Sequence, residues 1–261
     1  MKLLKTTFQI KTFALVLFSL LSISLTVTAE ETTIIIRAQA KDAKFIGSSM
    51  GGALVIVKEH HTEQILSKGY TQGGTGDTDR IMKQPHTRDH QLSDENAAGF
   101  KAIVDIERPT FVTIEVYAPF SKKQATALSS TQLWLIPGKD ILGDGIILEV
   151  PGFVVDILSP QTHESIDGKL NQVSIRANVV LLCGCPVTVK GMWDAEQYEI
   201  AAIIYKDGKK YKTVPLGIQG KASTFGATLE LEEGSYEIEV FAFDPQSGNS
   251  GLDKVNFSVN G

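Results

Sequence analysis

The chain has 261 residues, 43% hydrophobic and 21% charged, and its 25 Lys and Arg against 30 Asp and Glu give a formal charge of −5. That acidic balance excludes nucleic acid as a default partner, because phosphate binding needs a positive face. The length exceeds what one β-sandwich usually takes and is enough for two buried cores.

Lys2, Lys5 and Lys11 precede an apolar run over residues 13–27 that closes on Val27-Thr28-Ala29, the pattern of a cleavable signal peptide. Its apolar stretch is too short and too rich in Ser and Thr for a stable span. The expectation is therefore a signal over 1–29 and a mature chain beginning at Glu30, with a formal charge of −8 once the three lysines are removed. No Cys lies near the cleavage site to take a lipid, and no later segment is long enough to cross a bilayer as a helix. The expected location is periplasmic or secreted, with no membrane span in the mature chain.

From residue 30 onward the patterning alternates with period 2 or runs in β-branched stretches between turn residues, which predicts strands and an all-β fold. In the first half the expected strands cover 33–40, 53–58, 65–71, 100–106, 111–118 and 131–136, with 146–150 as an added edge strand. In the second half they cover 153–158, 172–182, 198–205, 210–216, 222–231, 236–243 and 254–259. The expected architecture is two consecutive Greek-key β-sandwiches, over 30–150 and 151–261, with the boundary near Pro151.

An internal repeat supports the division. Phe100-Lys-Ala-Ile-Val-Asp-Ile-Glu-Arg-Pro-Thr-Phe111 aligns with Phe225-Gly-Ala-Thr-Leu-Glu-Leu-Glu-Glu-Gly-Ser-Tyr236, and after one inserted residue Ile114-Glu-Val-Tyr-Ala118 aligns with Ile238-Glu-Val-Phe-Ala242. Leu231-x-x-Gly234-x-Tyr236 has the spacing of a tyrosine corner, in which a Tyr near the start of strand F bonds back across the E–F turn. Phe111 takes the aligned place in the first half without a hydroxyl.

With Tyr236-Glu-Ile-Glu-Val-Phe-Ala-Phe-Asp244 and Ser247-Gly-Asn-Ser-Gly-Leu-Asp253, the second unit resembles bacterial immunoglobulin-like or fibronectin-type domains. The first, through Gly52-Ala-Leu-Val-Ile-Val57 and Ile65-Leu-Ser-Lys-Gly-Tyr-Thr71, resembles carboxypeptidase-regulatory or transthyretin-like sandwiches. It departs from them at Gly74-Thr-Gly-Asp-Thr-Asp79, which opens a long loop. The resemblance implies fold and not activity.

Most local motifs read as structure. Gly47-Ser48-Ser49-Met50-Gly51 matches a nucleophile elbow but precedes a strand and not the helix that motif needs. Asp77 and Asp79, and likewise Asp244, Asn249 and Asp253, could give oxygens to calcium but lack the ligand ladder, and turns select the same residues. His60 and His61 are expected on opposite faces of a surface hairpin. No paired carboxylates, H-E-x-x-H motif or triad is evident, so an enzyme is not expected.

Cys183-Gly184-Cys185-Pro186 holds the only two cysteines. In an exported chain thiols oxidise unless something holds them. On an extended strand the two Cα atoms would lie about 6.5 Å apart, near the upper limit for a disulfide. Thiolates and thioethers also suit soft metals such as copper. Strand order places residues 183–192 in the B–C loop of the second sandwich, at the pole facing the first. By the same logic the A–B loop (41–52) and the long C–D connection (72–98) of the first sandwich face the second. The leading site expectation is therefore copper at the junction, with Cys183, Cys185 and Met192 as core ligands. Met50, Met82, His86 or His90 would support them from across it. The alternatives are a structural or adhesion-type module with a Cys183–Cys185 disulfide and no metal, and a thiol-disulfide redox accessory. In each case the partner is a protein or small ligand of the cell envelope.

Overall fold

The computed structural model describes residues 30–168 and 172–261, so the expected signal segment lies outside the described residues. The first half contains β1 (Glu30–Ala40), β2 (Leu54–Glu59), β3 (Ile65–Tyr70), β4 (Phe100–Ile106), β5 (Thr110–Ala118), β6 (Ala127–Leu135) and β7 (Ile141–Val150). A single turn of helix, α1 (Thr78–Met82), interrupts the long connection after β3. The second half contains β8 (Phe153–Ser159), β9 (Glu164–Asp167), β10 (Val173–Leu181), β11 (Glu199–Lys206) and β12 (Lys209–Pro215). It continues with β13 (Gly217–Ile218), β14 (Thr224–Leu229), β15 (Gly234–Phe243) and β16 (Ser250–Asn260).

The alternation seen in the sequence becomes the two faces of each sheet. Along β5, Val112, Ile114, Val116 and Ala118 are buried, while Thr113, Glu115 and Tyr117 between them face outward. β10 repeats the pattern with Val173, Ile175, Ala177, Val179 and Leu181 inward. Each inward Val, Ile or Leu contributes about 1.5–3 kcal/mol through removal from water. Asp207 and Gly208 both take positive φ, the two-residue turn that joins β11 to β12 with the twist a hairpin requires.

Among the described residues the strands form four sheets, and the pairings fall into two sets. In the first half a three-stranded sheet, β4-β1-β7, faces a four-stranded sheet, β3-β2-β5-β6. In the second, β13-β14-β10-β8 faces β12-β11-β15-β16-β9. The expected all-β fold of two sandwiches is what is seen, and one buried cluster runs through both, including Ala43, Phe153, Leu182 and Cys183.

The order of strands differs from expectation in the first half. β1 pairs with β4 as β10 pairs with β14, so β1 holds the second position of an immunoglobulin order and not the first. The place beside it, filled in the second half by the antiparallel β8, is taken here by β7, which runs parallel to β1. Gly145 makes this possible: at φ +68° a Cβ there would lie 2.0 Å from the Ile35 carbonyl oxygen. Residues 41–52 therefore correspond to 182–198, and 71–99 joins β3 to β4. The strand expected over 146–150 is longer than read, and it closes one sheet.

The repeat holds as two equivalent strand pairs, β4–β5 and β14–β15, but its register needs correction. Tyr236 is buried and its Oη donates to the Glu232 carbonyl at 2.8 Å, forming the expected corner. Phe111 is not its equivalent, because the inserted residue turns Phe111 to the outer face and leaves Val112 inward. There Phe111 packs against Trp134, with ring centroids 5.1 Å apart. His60 and His61 are also corrected: both rings lie against Phe111 and 5.0 Å from each other, since they sit in a turn and not on a flat strand.

Candidate functional site at the junction

The cysteine loop begins where β10 ends. The Gly184 amide donates to the Leu181 carbonyl at 2.8 Å and the Leu181 amide to the Cys185 carbonyl at 3.2 Å, which folds the chain into a tight turn with Gly184 at φ +77°. The turn shortens the Cα separation to 5.3 Å, below the strand estimate, and Cys183 and Cys185 are joined as a disulfide. Both are buried, and among the described residues no free cysteine remains.

Residues 41–52 come down onto this loop from the first sandwich. Met50, at the end of a short 3-10 turn, covers Gly184 so closely that a Cβ there would sit 2.8 Å from the Met50 Sδ. Ser121 Oγ donates to the Met50 carbonyl at 2.7 Å and holds that turn in place. Trp193, buried on the cysteine side, donates its indole N–H to the Asp42 carbonyl at 3.0 Å. The fully buried Asn249 ties three segments together: its Nδ2 donates to the Lys41 carbonyl at 3.0 Å and its Oδ1 accepts from the Gly152 amide at 2.9 Å. Lys122 pairs with Asp156 at 2.7 Å on the rim.

The electrostatics of the junction favour neutral groups. Burial, aided by Asp244, Asp42 and Asp194, pushes the Tyr198 phenol up to about 12. Partial burial, with Asp244 nearby, raises the Asp42 carboxyl above the ordinary carboxylate range. Asp244 accepts from the Gln246 amide and the Ser247 hydroxyl within its own turn.

The expected ligand set is only partly brought together. Met50 reaches the Cys183–Cys185 loop, whereas Met192 is 43% exposed. Met82 packs with the cluster of Phe45, Ile81 and Ala97. His86 and His90 stack at 5.6 Å and place Nε2 2.9 and 3.0 Å from the carbonyls of Ile81 and Arg80. Among the described residues no group of three or more His, Cys, Asp and Glu is arranged to hold a metal. The oxygen clusters considered for calcium also serve local structure. Asp77 caps α1 by accepting from the Arg80 amide, Asp79 pairs with Lys83, and Asp253 accepts from the Ile157 amide. Ser48 Oγ accepts from the Gly73 amide, and the elbow-like motif is the turn before a strand that its sequence indicated.

One buried side chain escaped the sequence reading. Arg37, directly after the apolar run Ile34-Ile-Ile36 of β1, is 8% exposed and donates to the carbonyls of Ala97 at 2.6 Å and Ala98 at 2.9 Å. Burial lowers its pKa, opposed by Asp144 and Asp94. Burial also works to raise the Asp144 pKa, but bonds from Ser93 and Leu92 and the Arg37 charge outweigh it and hold the carboxyl low. Together they pin the long connection over 71–99 to β1 and β7. The signal was a lone arginine within Thr33-Ile-Ile-Ile-Arg-Ala.

No family model matches the chain, and no curated protein is significantly similar to it. Among solved structures it is similar to the fibronectin(III)-like modules of Clostridium thermocellum CbhA, at 11% identity over 92% of this chain and 93% of that one, TM-score 0.27. It is likewise similar to the chicken interferon gamma receptor alpha chain, at 8% identity over 90% and 99% with TM-score 0.32. An engineered protein matches at 15% identity and TM-score 0.32 over 45% of this chain, which spans 22% of that protein's length.

Proposed function

We propose that this chain is an exported, non-enzymatic recognition or accessory module of the bacterial cell envelope, periplasmic or secreted, whose Cys-x-Cys loop fixes one sandwich against the other. The observation that carries this reading is the buried Cys183–Cys185 disulfide lying beneath Met50, beside the Trp193–Asp42 and Asn249 bonds. Sulfurs joined to each other and sealed from solvent serve packing better than metal capture or thiol exchange, which need accessible thiolates. We assign residues 30–150 to the carboxypeptidase-regulatory or transthyretin-like class and 151–261 to an immunoglobulin-like unit, supported by the partition of strand pairings.

The test is chemical. The isolated protein is expected to resist alkylation without reductant, and to bind Cu(I) no better than a Cys183→Ser/Cys185→Ser variant in anaerobic competition with a chelator. Tight Cu(I) binding that the double variant loses would replace this reading with copper carriage. A mass corresponding to a chain that begins at Glu30 would establish the export step.

A further inference from the structure

Among the described residues the sheets end in eight edge strands, and the sequence protects them unequally. An exposed edge presents unpaired N–H and C=O groups to any other strand, and proteins blunt such edges with charges, prolines, bulges or brevity. β12 carries Lys209, Lys210 and Lys212 and ends at Pro215; β3 carries Lys68, and β8 carries Asp156. β4, β7 and β9 each hold charged residues, and β13 is two residues long. β6 has none of these devices. Its nine residues, Ala127-Leu-Ser-Ser-Thr-Gln-Leu-Trp-Leu135, contain no charge, Pro or Gly and pair with β5 without a register shift. Among the described residues β5 is its sole strand partner.

The outer side chains of β6 also read the same way in both directions. Laid antiparallel against a second copy about Thr131, Leu128 faces Trp134, Ser130 faces Gln132, and Thr131 faces itself. On the outer face apolar meets apolar at both ends and polar meets polar in the middle; on the inner face Ser129 faces Leu133, and no like charges oppose each other. Leu128 is 52% exposed and Trp134 61% exposed, so each brings apolar surface that β5 does not cover. The neighbouring rows continue the match. Leu128 lies beside Tyr117, Leu54 and the exposed Tyr70 across the outer face, while Trp134 lies beside Phe111.

We propose that β6 is a self-pairing edge through which two copies of this chain form a two-fold symmetric dimer, joining their β3-β2-β5-β6 sheets into one. A two-fold contact uses the same strand from both copies and closes on itself. The edges left at the ends of the joined sheet are then the two β3 strands, each carrying Lys68, so assembly stops at two.

Sedimentation of the purified protein across a wide concentration range is expected to show a monomer–dimer equilibrium. Thr131→Lys, which sets two ammonium groups against each other on the axis, should weaken it at least about tenfold while leaving the far-UV spectrum unchanged. Because both native cysteines are joined, Thr131→Cys adds one free thiol. Mild oxidation with diamide should link two copies through it and should not link a Ser67→Cys control on β3. A protein that stays monomeric, a dimer indifferent to Thr131→Lys, or a dimer in which Thr131→Cys fails to cross-link would each overturn the proposal. Should the lysine variant misfold, the cysteine pair alone decides.

Discussion

Replacing Gly184 with alanine tests the junction at its tightest point. Two penalties add there. An alanine held at φ +77° costs about 1 kcal/mol relative to glycine, from the clash of Cβ with its own backbone. The added methyl also lies 2.8 Å from the Met50 Sδ and 3.2 Å from its Cγ, and overpacking of this kind costs about 1–3 kcal/mol. Gly184→Ala should therefore lose about 2–4 kcal/mol in urea denaturation followed by tryptophan fluorescence. In a Met50→Ala background the steric part disappears and the backbone part stays, so a double-mutant cycle should return a favourable coupling of about 1–3 kcal/mol. An equal loss in both backgrounds would refute contact between Met50 and the cysteine loop, and with it the account of a junction set by that contact.

The tyrosine corner predicts that Tyr236→Phe costs about 1 kcal/mol, since the Glu232 carbonyl loses its donor; an unchanged urea midpoint would remove the corner from the stabilising contacts. The raised Tyr198 phenol carries a sign. The unfolded chain ionises it near 10 and the folded one near 12, so its contribution to stability is complete below pH 10 and is lost as pH rises from 10 to 12. Ultraviolet titration should show a late phenol that Tyr198→Phe abolishes, and its persistence in that variant would point to another tyrosine.

The strands were legible because inward and outward residues alternate over lengths that only a half-buried strand accommodates, as in β5 and β10. Topology was not, because the placement of β7 beside β1 depends on a pairing between residues more than a hundred positions apart. Local pattern carries no record of it. The short β9 is polar and exists through its pairing with β16, so it offered no period to read. α1 is one turn held by the Asp77 cap, too short for a helical period. At the candidate site, the sequence expectation rested on a strand order that the structure changes: residues 41–52 do lie against the cysteine loop, but the connection over 72–98 is tied to β1 and β7 instead. The expectation also overestimated the Cys183–Cys185 separation by treating a turn as a strand. Asp42 escaped notice because it contributes a backbone carbonyl to Trp193, which no side-chain motif can announce.

The parallel pairing of β1 with β7 has a mechanical side. The chain enters the first sandwich at the start of β1 and leaves it at the end of β7, and the two strands run in the same direction. Tension between those points drags the strands past each other along their length, so their shared hydrogen bonds bear the load together and not one after another as in an unzipping hairpin. In the second sandwich β9 and β16 form a ladder of the same sense. A chain anchored at one end and pulled at the other would thus meet a lengthwise-loaded clasp in the first half before that half could open.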